Sequence, residues 1–462
     1  MCANHQPSKL IQFHPAIGQN SSEQRAAIVP ILEAALASVN PYNAVHAALT
    51  RNGHQLQIQQ QVYDLSRYRR IFVIGAGKAG APMVQAIEEI LHDYSLEGLV
   101  VVKEEHGGPT QQIQLTEASH PIPNQIGVEA GQQILSVCQQ ATDDDLVIAL
   151  LSGGGSALLI APASGITLAD LQAMTDTLLS CGATISAVKG GQLARAAYPA
   201  TLVTLVLSDV VGNPLDVIAS GPTVPDSTTW ADAWALVEFY TLEERLPQAV
   251  IQRLQAGLRG EIPDTPDSRD PAFTATQTVV VADNRVAADA ACAKAEGQGF
   301  NTMLLSTFVE GEASEVAKVA VALGKEIQQS GVPIPVPACL IMGGETTVNL
   351  ESHTDAVLGM GGRNQELALA AALALANTAD PHSQITVVSL ATDGTDGPTD
   401  SAGGIADSGT LLRGQQAGLD LETHLHTHNA YPFLKATNDL LITGPTQTNV
   451  NDLIFIFVQG SM

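Results

Sequence analysis

Three short stretches carry residue types that could do chemistry in this 462-residue chain. The first is Ser152-Gly153-Gly154-Gly155-Ser156, three glycines between two serines after a continuously apolar run over 146–151. Such a run fits a strand buried on both faces of a parallel sheet. Glycine after it lets the backbone approach a ligand, so the turn could cradle an anion with its N–H groups; a plain connector is the alternative. The second is Gly75-Ala76-Gly77-Lys78-Ala79-Gly80, after an apolar run over 70–74 and before helical spacing at Met83, Ile87, Ile90 and Leu91. That is the context of a dinucleotide-binding turn, and Glu104 and Glu105 stand where a ribose-binding acid would. Lys78 is discordant, because a turn that holds pyrophosphate by its backbone needs no lysine. A cation at a helix start suits a phosphate or carboxylate that must be held firmly. The third is Gly361-Gly362-Arg363, where an arginine opposes the helix dipole and a bound anion is the expected partner.

Other expected strand ends are small and polar. Asp209, in Ser208-Asp209-Val210, could hold Mg²⁺, act as a base, or simply close an Asx turn. Lys189, before Gly190 and Gly191, could make a second anion contact. Glu345 follows Gly343 and Gly344, and Asp393, Asp396 and Asp400 follow another apolar run; Glu345 and Asp393 are metal candidates. Asn438 lies in a further polar strand end, Thr437-Asn438-Asp439. The chain has no P-loop, no GxSxG elbow and no HExxH motif. His424, His426 and His428 alternate with no carboxylate or cysteine clearly placed to complete a metal site.

The elements that would position these groups follow a regular order. Strands are expected over 70–74, 98–102, 146–151 and 201–207, with helices over 127–139 and 168–179. Residues 258–275, rich in Pro and charge, read as an interdomain linker. Beyond them strands are expected over 278–281, 302–306, 338–342, 385–391, 440–443 and 453–458, with helices over 285–296, 312–328, 364–376 and 404–415. The fold class is α/β with two domains, 23–260 and 276–460. The first is a Rossmann-like, mostly parallel sheet, and the ligand site is expected in the cleft between them. Hydrophobic residues make up 45% and charged residues 15%, a globular balance. A net charge of −26 argues against nucleic-acid and anionic-membrane partners. The five scattered cysteines form no CxxC pair, and the N-terminus lacks the order of a signal peptide. No apolar run reaches the length of a membrane span, so a cytoplasmic protein with reduced thiols is expected.

The ordered set IGAGKAG, ASHPIPN, LLSGGGSALL, KGGQLA, LSDVVGNPLDVIASGPTVPD, MGGETTV, GGRNQE, ATDGTDGPTD and ITGPTQTNVNDL resembles the glycerate 2-kinase family. Members of the resembled type have an N-terminal glycerate-kinase domain and a C-terminal MOFRL domain. The resemblance covers nearly everything after the first twenty or so residues. It implies ATP-dependent phosphorylation of D-glycerate at its 2-hydroxyl, with Mg²⁺, giving 2-phosphoglycerate and ADP. The family's active-site lysine falls on Lys78 and its arginine on Arg363. On that reading Ser152, Gly153, Gly154, Gly155 and Ser156, with Lys189 and Asn438, would hold the nucleotide. Lys78 and Arg363 would clamp the glycerate carboxylate or the transferring phosphoryl group. Asp209, Glu345 and Asp393 would hold Mg²⁺ or accept the hydroxyl proton. A homo-oligomer stays open.

The chain departs from the family pattern once. Members carry an Asn and a basic Arg-Lys-His run between the equivalents of Ile185 and Lys189, where this chain has only Ser186-Ala187-Val188. Two alternatives therefore stand beside the kinase: a kinase-derived protein of reduced activity, and an NAD(P)H-dependent hydroxypyruvate reductase, which GAGKAG and Glu104 favour.

Overall fold

The computed structural model describes residues 22–181, 190–350, 359–376 and 384–460. The segment after Ile185, and Lys189 itself, lie outside the described residues. The chain divides into two compact units, Pro41–Val281 on one side and Met1–Asn40 with Ala282–Met462 on the other.

The unit Pro41–Val281 begins with a helix, Pro41–Ala48, and an antiparallel meander of β1 (Leu49–Asn52), β2 (Gln55–Ile58) and β3 (Gln61–Asp64). No apolar run announces these four-residue strands, because they are half exposed. The main sheet is built from β4 (Arg70–Ala76), β5 (Leu96–Lys103), β6 (Gln114–Ala118), β7 (Asp145–Leu151), β8 (Thr201–Leu207) and β9 (Thr276–Ala282). Their order is β6-β5-β4-β7-β8-β9, and every pairing from β6 to β8 is parallel. All seven residues of β7 are buried, and each large aliphatic among them contributes roughly 1.5–3 kcal/mol of transfer free energy.

At the amino edge of this sheet Arg70 holds the buried Asp145 through two hydrogen bonds, of 3.0 and 2.6 Å, which ties β4 to β7. Burial pushes the Asp145 carboxyl up, but Arg70 and Thr142 outweigh it and hold the group at about 2. The chain progresses outward from β4 through β5 to β6, then returns to β7 on the other side of β4. The direction of winding thus reverses between β4 and β7, and ligands of such sheets bind at the carboxyl ends beside that reversal.

β9 completes this first sheet instead of opening the second domain. The segment 258–275 is accordingly not the boundary expected for it. It folds back within the first unit, where Thr265 Oγ1 donates to Asp226 and Asp264 accepts from the Trp230 N–H.

The second unit has strands β10 (Asn301–Glu312), β11 (Ala338–Thr347), β12 (Ile385–Ala391), β13 (Gly403–Asp407), β14 (Leu440–Leu441) and β15 (Asp452–Val458). The order is β10-β11-β15-β12-β13-β14. β10 and β11 are parallel, whereas β15 runs antiparallel between β11 and β12. Helices Ala313–Ser330 and Arg363–Ala376 pack their apolar faces into its core. The helix expected over 404–415 is half wrong. Gly403–Asp407 is a strand held between β12 and β14, and the helix starts only at Thr410. The helix Ser22–Ser38, placed by its sequence position in the first domain, belongs to this unit. Its fully buried Arg25 pairs with Asp407 at 2.5 Å and Asp439 at 2.7 Å. Among the described residues no helix is long and apolar enough to cross a membrane.

Candidate functional site

β4 and β7 run in register as far as Ala76 and Leu151, so their two glycine turns leave the sheet side by side. Hydrogen bonds then tie one turn to the other. The Lys78 N–H donates to the Gly153 carbonyl at 2.9 Å, and the Ala79 N–H donates to Ser152 Oγ at 3.0 Å. The Gly77 N–H donates to Val101 O, and the Gly80 N–H to Gly77 O. Every backbone donor from Gly77 to Gly80 is thus occupied, and this turn has none left for a pyrophosphate. It seats Lys78 instead.

The triple-glycine turn is the opposite case. The N–H groups of Gly153 and Gly154 make no hydrogen bond among the described residues, although Gly153 is buried. Buried backbone donors are nearly always paired, so two open ones beside a lysine point to an anion. Gly154 has φ +83°, a left-handed conformation that side chains resist. A Cβ on Gly153 would fall 2.0 Å from Asp209 Oδ2, which puts the Asp209 carboxylate against the turn. Ser156 Oγ and Ser220 Oγ lie 2.7 Å apart, and Ser220 follows Ala219 in a left-handed pair with φ of +60° and +51°. That strained stretch brings Ala219 against Gly155, where a Cβ would meet it at 2.6 Å.

The motif reading did not single out His120. A Cβ on Gly154 would lie 3.1 Å from its Nε2 and 3.6 Å from Lys78 Cγ. Burial, with the positive charge of Lys78 and Lys103, pushes His120 down to about 4. Lys103 ends β5 and His120 stands two residues beyond β6. Listing every base at the end of an expected strand would have found Lys103.

In the second unit Asp452 opens β15 opposite both Gly344 of β11 and Ala391 of β12. Arg363, first residue of its helix, donates from Nε to Asp452 at 2.5 Å, from Nη2 to Asp452 at 3.2 Å and from Nη1 to Glu345 at 2.7 Å. The helix start is capped in turn by Asp396, whose carboxylate accepts from the N–H groups of Asn364 and Gln365 at 3.1 and 2.8 Å. A Cβ on Gly362 would strike that carboxylate at 2.3 Å. The anion expected beside Arg363 is therefore already present as side chains of the chain itself, Asp452, Glu345 and Asp396. They neutralise both the guanidinium and the helix N-terminus, which a local reading of sequence could not see. Burial opposes the charge on Arg363, yet Asp452 and Glu345 hold its pKa above the ordinary value. Burial raises Asp452 to about 6 in spite of Arg363.

The remaining candidates lie apart from these groups in role. Asp393 Oδ1 accepts from the Thr395 N–H at 3.0 Å, closing an Asx-type turn. Asn438 is exposed at φ +55° in the turn after the helix Ala430–Ala436, a closing role for that helix. Among the described residues no three metal-ligating side chains converge.

Lys78, Lys103 and His120 at the carboxyl ends of a parallel sheet, beside its winding reversal, mark the first unit as a doubly wound α/β scaffold with basic groups at its ligand-binding edge. The comparisons narrow this class. A family model described as a domain of unknown function, DUF4147, matches residues 27–255, and the MOFRL family model matches 338–452. The chain is 38% identical over 434 residues to the glycerate 2-kinase of Pyrococcus horikoshii, covering 92% of this chain and 95% of that protein. It is 38% identical over 398 residues to the D-glycerate 2-kinase of Thermotoga maritima, covering 83% and 90%. An Agrobacterium vitis protein with a provisional hydroxypyruvate reductase name is also 38% identical, covering 95% of each chain. The crystal structure of the Thermotoga maritima glycerate kinase superposes with a TM-score of 0.79 at 34% identity, covering 94% of this chain and 99% of that one. The chain belongs to the glycerate 2-kinase family.

Proposed function

We propose that this chain transfers the γ-phosphoryl group of ATP to the 2-hydroxyl of D-glycerate. The hydroxyl oxygen bonds to the γ-phosphorus, the bond from that phosphorus to the β-bridging oxygen breaks, ADP leaves, and the hydroxyl proton goes to a base. Phosphoryl transfer needs positioning and charge neutralisation more than covalent help. The observation that carries the reading is the pair of open N–H groups on Gly153 and Gly154 beside Lys78. Those donors and Lys78 would hold the transferring phosphoryl oxygens. Asp209, whose carboxylate lies against Gly153, would take the hydroxyl proton. Arg363 keeps one N–H on each terminal nitrogen outside its bonds to Asp452 and Glu345, a pair suited to the glycerate carboxylate.

Mg²⁺ fits the residues present in a limited way. It usually keeps waters, takes phosphate oxygens and needs only one or two carboxylates. Asp393 and Glu345 each keep one carboxylate oxygen outside the hydrogen bonds of the described residues. Glu345 is tied to Arg363, so Asp393 is the better holder. When bound, the ion would neutralise charge on the nucleotide. The cytoplasm is the compartment that fits ATP use, and Cys138, Cys292 and Cys339 are free thiols.

The reductase reading is disfavoured by the occupied N–H groups from Gly77 to Gly80. One experiment separates the two. ADP release is followed with D-glycerate, ATP and Mg²⁺, beside NADH oxidation with hydroxypyruvate. The kinase reading expects ADP release that disappears in Lys78→Ala. NADH oxidation without ADP release would overturn it, and silence in both would favour a chain that has lost catalysis.

A further inference from the structure

The carboxyl edge of the first sheet gathers more positive charge than one anion-holding lysine requires. Lys78 follows β4, Lys103 ends β5, His106 lies in the turn after it and His120 follows β6. Three successive strands of one parallel sheet thus each deliver a base to the edge where the triple-glycine turn opens. The His120 ring lies 3.0 Å from the Cβ position of Gly154, closer than the Lys78 side chain at 3.6 Å. Lys78 and Lys103 form no ion pair among the described residues. Of the acids on these elements, Glu105 acts on His106 from an exposed position and raises its pKa against the larger effect of burial. Glu104 and Glu105 are exposed, Glu117 accepts from the N–H groups of Glu105 and Gly107, and Asp209 meets the turn at Gly153.

Resting on the reading of that turn as an anion cradle, we propose that Lys103, His106 and His120 join Lys78 in one site for a dianionic, phosphate-type group, and that His120 takes up a proton from solvent when the anion binds. In the empty site burial is the main penalty on a positive charge at His120, and Lys78 and Lys103 repel it as well; burial also pushes the neighbouring His106 down. His120 therefore waits neutral. A dianion removes the repulsion, and a protonated imidazole then gives it a stronger hydrogen bond than a neutral one. Because the bound state holds more protons than the free state, affinity falls as pH rises, by at most about tenfold per pH unit.

Sulfate is the probe, since its own charge is constant across the range. Its binding to the full chain is measured by titration calorimetry at about pH 6 and pH 8, in buffers of different ionisation enthalpy. The wild type is expected to take up part of a proton and to bind more weakly at pH 8. His120→Gln is expected to bind about tenfold or more weakly at pH 6, and to lose both the proton uptake and the pH dependence. Lys103→Met should weaken sulfate but keep the uptake, and thermal melts identify any variant that fails to fold. Uptake that persists in His120→Gln, or a wild type that binds no sulfate, overturns the proposal. A chain that binds sulfate with uptake yet releases no ADP keeps the anion site and defeats the kinase reading. ADP release without any proton linkage does the reverse.

Discussion

The two units each raise a cation behind a pair of glycines at a sheet edge, and they treat it in opposite ways. Lys78 has no carboxylate within ion-pair distance among the described residues, and its titratable neighbours include the bases His106 and His120, both pushed down by burial and by Lys78 itself. Arg363 is held by Asp452 and Glu345, above a helix start that Asp396 already caps. In a chain of net charge −26, the first arrangement leaves a local positive potential unanswered, and the second is nearly neutral as it stands. The same sequence signal thus marks one cation that pairs with no carboxylate among the described residues and one that the chain pairs itself. Each is broken by a different substitution.

The largest effect is expected at Arg363. Removing one partner of a buried ion pair leaves the other uncompensated, and Arg363→Met should cost about 3–5 kcal/mol in chemical denaturation. The pH dependence sharpens this. Asp452 titrates at about 6 in the folded chain, above the ordinary range, so it contributes most stability at low pH and loses that contribution as pH rises through about 6. Without Arg363 its pKa climbs further and the loss continues upward, so the gap to wild type should widen between about pH 6 and pH 8. A gap that is flat with pH would mean that Asp452 is not the stranded charge.

Lys78→Met should do the reverse, lowering kcat/KM for ADP release by about 10²–10³-fold with little change in melting temperature. A large fall in stability would make Lys78 as structural as Arg363 and erase the contrast. Gly154→Ala comes next. At φ +83°, with the His120 ring 3.0 Å from the new methyl group, it should cost about 1–2 kcal/mol and reduce sulfate binding. Unchanged turnover and binding in that variant would return the turn to a connector.

What the sequence made legible was local. Strands buried on both faces are continuous apolar runs, so β4, β7 and β8 stood out, and the glycines around and after the ends of β4 and β7 marked the two turns and Lys78. What it hid was decided by distant partners. Gly403–Asp407 carries two glycines and only two apolar side chains, and is a strand because β12 and β14 flank it. The helix Ser22–Ser38 joins the far end of the chain through Arg25, which lies hundreds of positions from its partners Asp407 and Asp439. Asp452 sat within a quoted motif, but only the antiparallel insertion of β15 between β11 and β12 shows that it meets Arg363.

The smallest expected effect separates two roles for Glu345. Its side chain is 44% exposed and its partner Arg363 33%, so their pair is solvent-screened and Glu345→Gln should change stability by less than about 1 kcal/mol. Its consequence should be kinetic. Freed from Glu345, the Nη1 edge of Arg363 has one competitor fewer, and the KM for D-glycerate should fall a few-fold, about the value of one exposed charged contact. If Glu345 instead holds Mg²⁺, the Mg²⁺ concentration for half-maximal rate rises and the glycerate KM stays put. Asp393→Asn is the matched partner, since Asp393 forms no hydrogen bond or ion pair with Arg363 among the described residues and its Oδ1 closes the turn to Thr395. A Mg²⁺ requirement that shifts in Asp393→Asn and not in Glu345→Gln places the metal-holding carboxylate away from the arginine. The opposite pattern would make Glu345 shared between metal and guanidinium, and would put an unanswered charge into the second unit as well.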